Sequence, residues 1–289
     1  MCAAQSPLAA TDDFSQPFGQ AVGLTGGNPD LGPEEADSWS VGLVWTPDDS
    51  GFSRRTSLTV DYFSMKLENV IAAHNAVAIV TRCFNADGVN PNYDPDTEWC
   101  QMFSRDPNDG GVIDLAQLEQ NQSVWKISGI DTTLNWGVDA GPGELDFRLL
   151  ASWLEKFEMQ TGALDPFNDF AGTIGSNVGT ARPDWRGSLV TTYNLENIQL
   201  QATTRYIGSM SPAAAVTNPD AVATGTDATW YLDLAGRYFV TDNITLRAGI
   251  NNVANQQPRL YSPNVDAGTD PSLFDVLGRR FFVGFDWRM

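Results

Sequence analysis

The chain has 289 residues, 42% of them hydrophobic, and its 36 acidic against 17 basic side chains give a formal net charge of −19. Such an acid excess excludes a nucleic-acid surface, which needs a basic stripe to displace counterions from phosphates. No apolar run reaches the roughly 18 residues of a transmembrane helix, since the nearest, Val70 to Val80, is short and carries His74 and Asn75 in its middle.

A mean hydropathy of −0.24 reads as a soluble protein, but it is equally the value of a β-barrel, whose strands need only every second residue apolar. At its N-terminus Met1-Cys2-Ala3-Ala4-Gln5 lacks the basic stretch and apolar core of a secretory signal. Cys2 has too little chain before it for a lipoprotein cleavage site. An exported barrel with such a start is expected to be the C-terminal piece of a longer protein.

Nine stretches of alternating apolar and polar residues follow. Trp39, Val41, Leu43 and Trp45 share one face of the first, with Ser40, Gly42 and Thr46 on the other. A turn at Asp48–Ser53 leads to Leu58, Val60 and Tyr62 against Thr59 and Asp61. A long segment from Glu68 to Asn121 reads as a loop. Ile130, Leu134, Trp136 and Val138 then oppose Asp131, Thr133 and Asn135. The turn Ala140-Gly141-Pro142-Gly143 joins these to Leu145, Phe147, Leu149 and Trp153, set against Asp146, Arg148 and Ser152. This is hairpin grammar, with period-two runs punctuated by Gly, Pro, Asn and Asp.

A second long loop, Thr161–Arg182, precedes Trp185, Leu189, Thr191 and Tyr193, which oppose Arg186, Ser188 and Thr192. After the Asn194–Asn197 turn come Ile198, Leu200, Ala202, Thr204 and Tyr206, facing away from Gln199, Gln201, Thr203 and Arg205. A third loop, Ser209–Thr226, leads to Trp230, Leu232, Leu234 and Tyr238 against Asp233 and Arg237. The turn Thr241-Asp242-Asn243 brings Ile244, Leu246, Ala248 and Ile250, opposed by Thr245, Arg247, Gly249 and Asn251. A fourth loop, Ala254–Gly278, ends at the last stretch, Arg279 to Met289.

A soluble β-sandwich or lipocalin-like barrel also alternates, with its apolar face turned inward. Three features favour a membrane barrel. Strands of about 9 to 13 residues match a tilted membrane crossing, whereas globular strands centre near 5–6. Short and long gaps alternate strictly, which a Greek key would scramble. Trp and Tyr gather toward strand ends, where interfacial girdles require them. The expected fold is therefore all-β, an antiparallel transmembrane barrel segment with short periplasmic turns and long extracellular loops. On that reading Asp61, Asp131, Asp146, Arg148, Arg186, Arg205, Asp233, Arg237, Arg247, Asp286 and Arg288 face the lumen, because each would cost up to about 2–4 kcal/mol on the lipid face.

The segment Gly27-Asn28-Pro29-Asp30-Leu31-Gly32-Pro33-Glu34-Glu35-Ala36-Asp37-Ser38-Trp39 resembles the lead-in to a late barrel strand of TonB-dependent outer-membrane receptors. Asp61-Tyr62-Phe63, Gly129-Ile130-Asp131, Arg205-Tyr206-Ile207-Gly208, Gly249-Ile250-Asn251-Asn252-Val253 and Asp275-Val276-Leu277-Gly278-Arg279-Arg280-Phe281 extend the likeness in family order. The resemblance implies residues 1–35 as an extracellular lead-in and 36–289 as the last nine strands of a ~22-stranded, plugged barrel. It implies active uptake of a scarce nutrient, such as a ferric siderophore, across the outer membrane of a Gram-negative bacterium. The implied partners are outer-membrane lipid and lipopolysaccharide, the barrel-assembly machinery, a small nutrient ligand, and the inner-membrane TonB complex acting through an N-terminal plug and TonB box that this chain lacks. The final residue departs from the usual Phe, being Met289; Phe281, Val283, Phe285 and Trp287 keep the alternation expected of an assembly signal.

An exported chain meets an oxidising compartment, which favours a loop disulfide between Cys83 and Cys100 over two free thiols; a ring of this size stabilises by about 3 kcal/mol. Cys83, Cys100 and the single histidine, His74, lack zinc-ligand spacing. Asp87, Asp94, Asp96, Glu98, Asp106 and Asp109 lack the calcium-loop spacing and read as a solvated acidic loop. No nucleophile elbow, phosphate loop or dinucleotide fingerprint is present, so neither a catalytic site nor a cofactor is expected. Two other functions fit the pattern: a passive porin-like channel, and a soluble secreted β-domain that binds a glycan.

Overall fold

The computed structural model describes residues 5–6, 8, 16, 23–48, 51, 55–74, 76–162, 164–176, 178–261 and 268–288. Its strands and helices run in the order β1 (Gly23–Gly26), β2 (Glu35–Trp45), β3 (Ser57–Ala73), α1 (Ala76–Cys83), α2 (Glu98–Gln101), β4 (Ser104–Arg105), β5 (Val112–Ile113), β6 (Leu115–Ala140) and β7 (Gly143–Gln160). There follow β8 (Asn168–Asp169), β9 (Thr173–Ile174), β10 (Trp185–Leu195), β11 (Ile198–Ile207), β12 (Ser211–Pro212), α3 (Ala214–Thr217), β13 (Thr229–Thr241), β14 (Ile244–Asn251) and β15 (Arg280–Trp287). Among the described residues no helix is long and apolar enough to cross a membrane.

One sheet holds the nine alternating stretches in sequence order, as β2-β3-β6-β7-β10-β11-β13-β14-β15. Each of these strands therefore lies beside its predecessor, and the pairs β7–β10, β10–β11, β11–β13, β13–β14 and β14–β15 are antiparallel. Two-residue connections close the hairpins β6–β7, β10–β11 and β13–β14. In the first of these Gly141 takes φ +63°, a left-handed conformation that glycine reaches without a Cβ penalty.

The registers align the apolar sets from strand to strand. Tyr193 lies opposite Leu145 and Leu200, Leu200 opposite Gly236, and Gly236 opposite Ala248, which meets Val283. One row over, Ala202 faces Leu234, Leu234 faces Ile250, and Ile250 faces Phe281. Directly opposed residues share a face, so one side of this sheet is apolar across six strands and the other polar. A slip of one residue anywhere would exchange the two faces. The 11 residues of β10, tilted near 45°, rise about 26 Å, the height of an outward apolar band.

Three strands outrun the sequence expectation. β3 continues to Ala73, and β6 starts at Leu115, so the loop expected over Glu68–Asn121 is confined to residues 74–114. β6 spans 26 residues and β7 18, not the 9 to 13 read from alternation. The upper part of β6 carries no apolar alternation because side-chain hydrogen bonds hold it instead. Asn121 Nδ2 donates to the carbonyls of Gly32 and Asn69 at 3.0 and 2.7 Å, Gln122 Nε2 to that of Ala72 at 2.8 Å, and Gln117 Nε2 to that of His74 at 3.1 Å. The other long loops also carry structure: β8 and β9 in the second, β12 and α3 in the third.

The chain divides into two compact units. The first comprises residues Met1–Ala36, Leu67–Val124 and Gln160–Pro166. Its core gathers Ile79 and Cys83 of α1, Trp99 and Cys100 of α2, and Phe103, Val112 and Leu115. β1 pairs in parallel with the start of β6, Gly23 opposite Leu115 through Gly26 opposite Leu118. The second unit holds residues Asp37–Lys66, Trp125–Met159 and Phe167–Met289. Its buried cluster is not between sheet layers but at the loop ends of β11 and β13, where Ile207 and Tyr231 pack with Ile174 of β9 and with Met210, Tyr261 and Phe274 of the connections.

Candidate functional site

In the second unit the long connections are tied into one body at the end of the sheet opposite the two-residue turns. β9 pairs with β12, Thr173 opposite Ser211. Tyr261 Oη donates to the carbonyl of Gly175 at 3.1 Å, and Thr224 Oγ1 to that of Tyr261 at 2.5 Å. Asp270, fully buried, accepts from the amides of Gly179 (3.0 Å) and Ser272 (2.9 Å) and from Ser272 Oγ (2.6 Å). A buried carboxylate that receives three such donors is satisfied, which is the condition for burying it at all.

These loops border an open cavity of about 350 Å³ whose apolar wall includes Met159, Phe170, Ile174 and Pro212 and whose polar groups include Thr180, Arg182 and Tyr261. Arg182 lies 4.3 Å over the Phe157 ring and donates through Nη1 to the Thr180 carbonyl at 2.9 Å. Burial lowers its pKa below the ordinary arginine value. Burial, and then the Asp270 carboxylate, push the Tyr261 phenol up. An apolar cavity of this size with a few convergent polar groups is the form of a small-molecule site. A guanidinium stacked on an aromatic ring suits an anionic or aromatic ligand. Sequence reading of the alternating strands could not find this cluster, because Met210, Tyr261, Asp270 and Phe274 stand in segments without periodicity.

The charged residues expected to face a lumen lie on the polar side of the sheet and are partly paired. Arg205 meets Asp233 at 3.4 Å and Arg247 meets Asp286 at 3.5 Å. Such partly exposed pairs each contribute no more than about 1 kcal/mol. Asp131 accepts from Ser152 Oγ at 2.5 Å. Arg148 lies opposite Val190, Arg186 opposite Ser152, and Arg237 opposite Gln199 and Arg247. Near the turn end Arg55, missed in the sequence reading, reaches Glu144 at 2.6 Å, Asp146 at 3.7 Å and Asp139 at 3.9 Å. Its hydrogen bond to Glu144, reinforced by the three carboxylates, raises its pKa further.

Aromatic rings sit on the apolar side at two levels. Near the loops Trp39 meets Tyr62 at 5.4 Å, Trp153 stacks on Trp185 at 6.0 Å, and Tyr206 meets Trp230 at 4.4 Å. Near the turns Trp136 stacks on Phe147 at 4.9 Å. In β15, Phe281, Val283, Phe285 and Trp287 lie opposite Ile250, Ala248, Leu246 and Ile244 and are exposed. Met289 falls outside the described residues.

Within the first unit Cys83 and Cys100 form a disulfide that joins α1 to α2. Arg82, 3% exposed, pairs with Asp165 and lies 4.4 Å over the Trp99 ring. His74 meets the same ring edge-on at 4.6 Å, and burial, followed by the Arg82 charge, lowers its pKa. The acidic residues of this loop cap their own turns. Asp87 accepts from the Val89 amide, Asp94 from that of Asp96, Asp106 from that of Asn108, and Asp109 from that of Gly111.

Residues 5–253 match the family described as TonB dependent receptor-like, beta-barrel. No curated protein sequence matches the chain. Among solved structures it is similar to a point variant of the ferric enterobactin receptor of Pseudomonas aeruginosa in complex with enterobactin, at 15% identity and a TM-score of 0.59, over 91% of this chain and 32% of that one. The FrpB iron transporter of Neisseria meningitidis gives 12% and 0.57, over 91% and 33%. The siderophore receptor PirA of Acinetobacter baumannii gives 13% and 0.55, over 91% and 33%. At these identities the likeness is one of fold. The chain spans about a third of the length of the structures it matches.

Proposed function

This chain belongs to the TonB dependent receptor-like β-barrel family, and from that premise we propose that it supplies the C-terminal strands of an outer-membrane receptor for active uptake of a scarce small nutrient, such as a ferric siderophore. The family is one of transport receptors in the outer membrane of Gram-negative bacteria, which bind small ligands and interact with TonB.

The observation that carries the reading to this chain is the open cavity lined by Ile174, Arg182, Tyr261 and their neighbours. It sits on the long-loop end, where a ligand arriving from outside first meets the protein. Its guanidinium and rings suit an anionic aromatic chelate. The polar face of the sheet, with Arg148, Arg186, Arg205 and Arg237, lines the route inward, while the apolar face meets lipid and lipopolysaccharide. Coupling to TonB and closure of the lumen require a plug, which the remaining two thirds of such a receptor supply. Barrel-assembly machinery recognises the alternation of β15.

The test is uptake of radioiron-loaded siderophores by the native bacterium, with and without a deletion of the coding region for Thr161–Gly278. The reading expects uptake to depend on this region and to stop when the proton-motive force is collapsed. Uptake that survives the collapse would make the protein a passive channel. Unchanged uptake of every ligand class tried would remove the receptor reading.

A further inference from the structure

We propose that Asp270 is the positioning residue of the cavity beside Tyr261: through Gly179 and Thr180 it orients the guanidinium of Arg182. The inference rests on the reading of that cavity as the receptor's ligand site, and adds to it the group that sets its affinity.

The segment from Gly172 to Arg182 folds back on itself. Its base is closed by the Gly172 amide donating to the Arg182 carbonyl and the Arg182 amide donating to the Thr173 carbonyl, both at 2.8 Å. β12 holds the same base through Ser211 and Pro212. Ile174, Gly175, Ser176, Thr180 and Arg182 of this segment line the cavity. Beyond the base, the fourth loop holds the segment at two points. Tyr261 Oη donates to the Gly175 carbonyl at 3.1 Å, and Asp270 Oδ2 accepts from the Gly179 amide at 3.0 Å.

Gly179 stands at φ +80°, a left-handed conformation that suits glycine. Its neighbour Thr180 presents the carbonyl that receives Arg182 Nη1 at 2.9 Å. The chain of contacts is short: carboxylate, amide, adjacent carbonyl, guanidinium. An arginine side chain keeps many rotamers unless something fixes it. Here the Phe157 ring, 4.3 Å away, holds one side of the guanidinium and the Thr180 carbonyl an edge.

The division of labour between the two oxygens of Asp270 separates this role from a merely local one. Oδ1 accepts from the Ser272 amide at 2.9 Å and from Ser272 Oγ at 2.6 Å, which completes the turn of its own loop. Oδ2 is left for Gly179, 91 residues away in sequence. An asparagine could complete the turn with its single oxygen, and would then aim its amide donors at the Gly179 N–H. The second charged oxygen therefore serves the joint between loops, where a charged acceptor makes the stronger hydrogen bond.

The experiment measures saturable uptake of a radioiron–dihydroxybenzoate complex, an anionic aromatic chelate, by the native bacterium carrying single substitutions in the full receptor. Asp270→Asn is expected to raise the half-saturation concentration about tenfold, the cost of ordering one or two side chains on binding, and to leave the maximal rate unchanged. Ser272→Ala, which keeps the Gly179 contact, is expected to match wild type. If Asp270→Asn does not reach the outer membrane, Gly179→Ala loosens the same joint from the other loop, where a Cβ meets nothing within 4 Å and only the backbone is strained. In purified receptor, amide exchange over Val178–Arg182 is expected to quicken in Asp270→Asn while Ser272–Phe274 stays protected. An equal rise in Ser272→Ala, an unchanged half-saturation in Asp270→Asn, or a loss confined to the maximal rate would each overturn the proposal and leave the receptor reading in place. No saturable uptake by wild type would remove the receptor reading for such chelates, and the proposal with it.

Discussion

His74 closes β3 against Trp99 and beside Arg82, and its environment sets a sign for the response to acid. Burial and Arg82 lower its pKa, while Asp165, Glu98 and a hydrogen bond with Gln120 oppose the shift without reversing it. The unfolded chain therefore takes up a proton first, near the ordinary value of 6.5. Stability from the neutral ring is complete above that value and declines as pH falls from it toward the lower folded pKa. Amide exchange in Glu98–Gln101, corrected for its intrinsic pH dependence, is expected to quicken between pH about 7.5 and about 5.5 in wild type. The His74→Gln variant is expected to show no such change. A wild type as insensitive as the variant would mean that Glu98 and Asp165 absorb the added charge.

At the level of elements the sequence was legible where burial has a period and silent where it has none. The alternation of β10, β11, β13 and β14 located those strands to within a few residues, because one face is apolar throughout. It failed on β6, whose early stretch from Gln117 to Gln122 has Leu118 as its one apolar side chain and is fixed by Gln and Asn side chains donating to carbonyls far away in sequence. Those partners cannot be read from local spacing. The cavity beside Tyr261 was hidden for the same reason, since Tyr261 and Asp270 join loops through hydrogen bonds to partners far away in sequence. α1 and α2 are short and have little stability alone; the Cys83–Cys100 bond, spanning 17 residues, joins them. Reduction is expected to remove about 3 kcal/mol from this unit. Limited proteolysis should then cut between Ala76 and Val112, while the hairpins β10–β11 and β13–β14 stay intact. Equal resistance with and without reductant would show that the cluster around Ile79 and Trp99 suffices.

For the molecule as a whole, the two faces of the sheet decide where it can exist. An apolar side exposed along six strands is an aggregation hazard in water and a match for hydrocarbon. Leu200 and Thr203 are near neighbours on β11 with opposite orientations, which turns the assignment into an experiment. Leu200→Arg, near the turn end of β11, is expected to cost up to about 1 kcal/mol in lipid, the mid-strand Ala202→Arg on the same face about 2–4 kcal/mol, and Thr203→Arg close to nothing. Urea titration of tryptophan fluorescence in phospholipid vesicles reads all three values, and the reverse order would mean that the apolar side faces a dry interior. The neighbour-to-neighbour strand order also bears on how such a wall can change over evolutionary time. Removing one hairpin, such as β13–β14, would leave β11 beside β15, still antiparallel and still with matching faces. Duplicating a hairpin would preserve the same relations. Lineages can therefore widen or narrow this wall two strands at a time without inverting a single side chain, and each step carries its own outer loop as raw material for a new specificity.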